Sequence, residues 1–80
     1  MIGLEGGIST HRASVVLPYQ HCAGAIAGLR AELRHQITQR SPAELARWDT
    51  FAVYGPVEST DVRGRTWFEY SGSVETRRLG

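Results

Sequence analysis

Apolar and polar positions follow two different periods along this chain. Cys22, Ile26, Leu29, Leu33 and Ile37 recur at intervals of three or four residues. That spacing is one stripe of an α-helix. It predicts a long helix from Tyr19 to Arg40, with Cys22 and the stripe turned into the core. Ahead of it, Val15-Val16-Leu17 closes a strand that begins near Ile8, and Pro18 both stops that strand and suits a first helical turn. After the helix, Ser41-Pro42-Ala43-Glu44 combines an N-cap residue, an N1 proline and a capping-box glutamate. This predicts a second, short helix from Pro42 to Trp48 that buries Leu45 and Trp48.

Beyond Thr50 the period changes to two. Phe51, Val53 and Val57 fall on one face, Ala52 and Tyr54 on the other. Thr66, Phe68 and Tyr70 alternate with Arg65, Trp67 and Glu69 in the same way. The stretch Ser59 to Gly64 has turn chemistry, so the two runs read as a hairpin. Pro56 cannot donate to a ladder and places the first run at an edge or a bulge. Val74 to Leu79 is a candidate short last strand. The expected fold is α+β, in the order β-α-α-β-β with an optional C-terminal strand. One long amphipathic helix and one short helix would pack on one face of a small, mostly antiparallel sheet. Met1 to Gly7 reads as a glycine-rich arm, and Ile8 to Gly80 as a single domain.

Composition narrows the function classes. The chain has 80 residues and a formal charge of +1, with nine basic residues against eight acidic. That balance does not suggest a polyanion as partner. All nine basic residues are Arg, and Lys and Asn are absent. This fits the codon bias of a GC-rich bacterial or phage genome. No run approaches the ~18 apolar residues of a membrane span, and the N-terminus lacks the pattern of a signal peptide. One cysteine, Cys22, can form no internal disulfide, which favours a reducing, cytoplasmic setting.

Motifs for catalysis are sparse. Cys22 near a helix N-terminus beside His21, with His11 on the preceding strand, suggests a thiol nucleophile. Its phase with Ile26 and Leu29 instead suggests a small core residue. His21 and His35 stand ~21 Å apart along a helix, too far to share a metal. Paired carboxylates, a phosphate loop and a nucleophile elbow are missing. The expectation is a non-enzymatic protein with no cofactor and no metal.

Two surfaces read as binding candidates. Gly24, Ala27, Gly28 and Ala31 form a small-residue patch opposite the helical stripe. Each internal glycine costs ~1 kcal/mol relative to alanine, a cost that close approach of a second helix would explain. This predicts self-association, as a dimer. The second surface is the hairpin face carrying Trp67, Arg65, Tyr54 and Arg63. Exposed Trp and Arg are typical of interface centres. The leading expectation is a small protein-interaction module that binds or masks a partner protein, as a mobile-element modulator would. The alternative is a nucleic-acid-binding regulator using Arg63, Arg65, Trp67, Arg77 and Arg78, with bases stacking on the indole.

Overall fold

The computed structural model describes residues 8–78. Its elements are β1 (Ile8–Leu17), α1 (Cys22–Arg40), β2 (Glu44–Thr60) and β3 (Thr66–Arg78). The three strands form one antiparallel sheet in the order β1-β3-β2, and α1 lies across one face of it. The proposed glycine-rich arm, residues 1–7, lies outside the described residues.

The α+β class holds, but the order is β-α-β-β, and the second helix does not exist. Residues 44–48 open β2 instead. The capping-box residues are used differently: the Glu44 amide donates to the Ser41 carbonyl at 2.9 Å, forming a turn. The Glu44 carboxylate accepts from the Thr76 hydroxyl and lies 3.4 Å from His11 Nε2. The Thr76 hydroxyl lowers the Glu44 pKa most, against the opposing cost of partial burial, with His11 adding a smaller lowering. Leu45, predicted to be buried, is 59% exposed. Local helix signals over so few residues yield to a ladder that pairs Glu44 to Arg47 with Glu75 to Arg78. The separate last strand is also absent, because Val74 to Arg78 continue β3; Leu79 lies outside the described residues.

The helix itself is present, starting at Cys22 rather than Tyr19. Its buried line is Ala25, Leu29, Leu33 and Ile37. The predicted stripe is right from Leu29 onward and one residue out before it. Cys22 is exposed rather than core, and Ile26 is on a shoulder at 37% exposure.

Burial concentrates beneath this line. Ala25 and Leu29 pack with Tyr70, flanked by Ala13, Val15, Leu17, Phe51, Val53 and Phe68. Leu33 and Ile37 pack with Val74, flanked by Ala46 and Trp48. The buried Tyr70 hydroxyl accepts the His21 backbone N–H at 3.2 Å and so ties the helix start to the central strand. Gly72 makes the close approach possible. A Cβ there would stand 3.3 Å from two Leu29 side-chain atoms and 3.5 Å from the Phe51 ring.

β2 departs from regular pairing twice, between Arg47 and Ala52 and between Tyr54 and Val57. At the first, Thr50 bridges the gap: its hydroxyl donates to the Arg47 carbonyl at 2.6 Å and accepts the Glu75 amide at 2.9 Å. At the second, two residues on β2, Gly55 and Pro56, oppose one on β3, Tyr70, and Gly55 takes φ +109°. A Cβ on Gly55 would meet the Glu69 carbonyl at 2.6 Å. The interruption expected from Pro56 is therefore real, on an edge strand and at a bulge. The extra residue turns Val57 away from Phe51 and Val53, leaving it 63% exposed.

Truncation at Leu29 tests this core. Leu29→Ala should lose about 2–5 kcal/mol of unfolding free energy in a denaturant titration. A loss well below that range would mean that the helix is not seated on Gly72.

Candidate binding surface

The helix covers one face of the sheet, and among the described residues nothing covers the other. Strand alternation assigns the residues. On β1 the open face carries Ile8, Thr10, Arg12, Ser14 and Val16. On β3 the directly paired residues are Arg77, Glu75, Ser73, Ser71 and Glu69. Across β2 they meet Leu45, Arg47, Ala52, Tyr54 and Val57.

Among the described residues, five of the eight exposed large hydrophobics, Ile8, Val16, Leu45, Tyr54 and Val57, therefore share this face. They stand towards its two ends. Val16 and Val57 flank Glu69 at one end, and Ile8 and Leu45 flank Arg77 at the other. Small residues occupy the middle. Ala13, Ser14, Ser71, Gly72 and Ser73 line a depression of about 620 Å³ together with Arg12, Tyr54 and Glu69. Tyr54 is 62% exposed beside it.

The hairpin tip is organised by Asp61, which in the sequence is only one residue of the Ser59 to Gly64 turn stretch. Its carboxylate accepts the Arg63 and Arg65 amides at 2.8 and 3.0 Å and the Trp67 indole N–H at 2.9 Å. The Gly64 amide returns to the Asp61 carbonyl at 3.0 Å, and the Asp61 amide donates to Arg65 at 2.9 Å. This is a three-residue hairpin loop: a type I turn with Asp first and Gly64, at φ +81°, in the left-handed position. Asp and Gly at that spacing were the available sequence signal. The indole bond, with the backbone amides of Arg65 and Arg63, lowers the Asp61 pKa against a smaller opposing effect of desolvation.

Trp67, Arg63 and Arg65 are thus together, around one carboxylate. Trp67 is only half-exposed. Tyr54 is elsewhere, paired with Ser71, which is four residues or ~13 Å along β3 from Trp67. Arg77 and Arg78 lie at the opposite end of β3 from the tip. The arginines of the sequence reading therefore do not form one continuous footprint.

The helix patch divides as well. Ala27, Gly28 and Ala31 are exposed, and a Cβ on Gly28 would meet nothing within 4 Å. Gly24 is half-buried, because the His21 ring lies against it. Arg30 and Arg34 stack over Trp48, their Cζ atoms 5.0 and 5.7 Å from its centroid. The indole face is what accommodates this like-charged pair.

Cys22 and His11 are held apart. Cys22 starts α1, whereas His11 sits beside Glu44 at the end where α1 finishes, near Ile37 and Val74. Among the described residues no group of three His, Cys, Asp or Glu is placed to hold a metal. Among the same residues no helix is long and apolar enough to cross a membrane. No family model, curated protein or solved structure shows significant similarity to this chain.

Titration of Asp61 tests the tip. Because its folded pKa is lowered from 3.8, its contribution is complete above the unfolded value and is lost as pH falls through the folded one. The Trp67 indole N–H resonance should hold steady from neutral pH and move only below 3.8. In Asp61→Ala the resonance should already be displaced at neutral pH and show no acid transition. An unmoved resonance in that variant would break the assignment.

Proposed function

We propose that this chain is a small, non-enzymatic protein-interaction module that binds a partner protein through the open face of its sheet. The observation that carries this reading is the placement of Ile8, Val16, Leu45, Tyr54 and Val57 on the one face that the described residues leave uncovered. Apolar side chains scattered singly need no explanation; here Val16, Tyr54 and Val57 stand at one end of the face and Ile8 and Leu45 at the other, and two apolar ends on the face opposite the helix favour the docking of a partner. The interspersed Arg12, Arg47, Arg77, Glu69 and Glu75 give the face both signs of charge. That suits a protein surface better than a polyanion. Tyr54, projecting beside the small-residue depression, is the natural anchor. Trp67, Arg63 and Arg65 at the tip extend the same surface. Self-association and a cytoplasmic setting complete the proposal.

Binding of nucleic acid is the competing reading. It is weakened by the split of the arginines between the two ends of the sheet and by the engagement of the Trp67 indole with Asp61.

Tyr54→Ala and Val57→Asp test the surface without touching the core. Each should leave the circular dichroism spectrum unchanged. Each should also weaken capture of the partner from the source lysate at least about tenfold, as loss of an interface anchor does. Equal capture by both variants, or retention of random RNA that falls steeply with salt, would reject this reading.

A further inference from the structure

We propose that the outer edge of β1 is a homodimer seam, resting on the reading of this chain as a self-associating module. A second copy would pair its own β1 antiparallel about a two-fold axis, making one six-stranded sheet.

The two edges of the sheet are not alike. β2 is broken by two register shifts and carries Pro56, so it is a poor template for another strand. β1 pairs with β3 residue for residue from Ile8↔Arg77 to Leu17↔Phe68, with no shift. It holds no proline, and Arg12 is its sole arginine, with no acidic residue. Among the described residues nothing pairs with its outer side. A straight, unbulged edge of ten residues is the kind that recruits another strand.

The strand is also compatible with itself. Directly opposed residues in an antiparallel pair share a face, so a two-fold centred on one residue keeps both helices on the same side. Centring on Arg12 would oppose two arginines, which is unfavourable. Centring on Ala13 avoids this. It sets Arg12 against Ser14, His11 against Val15 and Thr10 against Val16 of the second copy, and it still uses Ser9 to Leu17.

The helix supplies an independent reason. Arg30 and Arg34 reach Trp48 on β2, which fixes the flank of α1 that faces β2. The opposite flank, one step back from the buried line, carries Gly24, Gly28, Glu32 and Gln36. Given the strand order, that flank faces the β1 edge. Strands lie ~4.8 Å apart, so helices seated between β1 and β3 in the two copies would have axes about 10 Å apart. Helices at that separation touch, and glycine at the contact admits them. Ala13 packs against both core clusters, the one built on Ala25 and Leu29 and the one built on Leu33 and Ile37. An axis through Ala13 therefore brings Gly28 towards Glu32 of the second copy, and no like charges meet there.

Three measurements on the full chain decide it. Light scattering should give twice the 8.8 kDa chain mass. In a Cys22→Ser background, nitroxide labels at Ser14→Cys should couple strongly, their Cα atoms being about 7–8 Å apart on the diagonal. Labels at Ser59→Cys, on the other edge, should not. Gly28→Leu adds a side chain where a single chain has room. It should keep the helical spectrum and raise the dimer Kd at least about tenfold. A mass of 8.8 kDa at every concentration would overturn the seam and self-association together. Open-face binding would then still be judged by the Tyr54 and Val57 variants. A dimer with uncoupled Ser14 labels, or one indifferent to Gly28→Leu, would overturn the β1 seam alone.

Discussion

The seating of Leu29 on Gly72 is the contact on which the other features depend. Gly72 stands in the middle of the central strand, and its missing Cβ is what lets a leucine side chain come down onto the sheet. With the helix that close, Tyr70 and Val74 on either side of Gly72 become buried, and Leu33 and Ile37 continue the same line. Tyr70 then reaches the start of α1 through its hydroxyl, so one strand fixes both the height of the helix and its first turn. The cost is a thin core. A single helix about 10 Å wide can shield one face of three strands, and nothing in the described chain shields the other. The exposed face is therefore a consequence of how this core is built.

The two edges of the sheet follow a different logic. β2 runs 17 residues against 13 in β3, and the excess is absorbed in two irregularities. Each is chemically completed. Thr50 replaces a missing ladder bond with its side chain, and Gly55 supplies the positive φ that brings the chain past the Glu69 carbonyl. Irregular pairing makes β2 unsuitable for further strand addition, and its length carries the hairpin beyond the helix. The Cα trace extends 52 Å, whereas 19 helical residues span about 28 Å. Asp61 keeps the overhanging tip ordered through its bonds to two backbone amides and the Trp67 indole.

What was legible in the sequence sorts by the range of the interaction that decides it. The long helix could be read because periodicity over 16 positions, from Cys22 to Ile37, is a strong local signal. Its first turn was misphased because Ala25, too small to register as apolar, takes the buried place that Ile26 was expected to hold. The short helix failed because a capping box is a local preference worth little over a few residues, while pairing with the end of β3 is remote in sequence. The hairpin and the trouble at Pro56 were legible. The direction of Val57 was not, because one bulged residue reverses every assignment beyond it. Of the candidate site, Tyr54, Trp67, Arg63 and Arg65 stand out in the sequence, whereas Asp61, which holds the last three together, reads there only as turn chemistry. The glycine flank was visible too; the sequence could not show that it faces the unbroken edge.

Val57 shows why the open face is better understood as a surface than as leftover alternation. Had β2 kept its register, Val57 would have continued the row of Phe51 and Val53 on the helix side. It would have gained little there, because Leu17 and Phe68 already close that end of the core and α1 begins nearby, at Cys22. The bulge sends it to the other face, across Glu69 from Val16. Bulges characteristically re-aim side chains at working surfaces. Here the re-aimed residue sets a second exposed valine on the face, one strand beyond Glu69 from Val16 and next to Tyr54 and the small-residue depression. An apolar end to the face, a projecting ring and small polar residues between the ends are what the proposed protein contact would use. They come together here only because the edge strand that provides two of them is irregular, while the opposite edge stays straight enough to accept a strand.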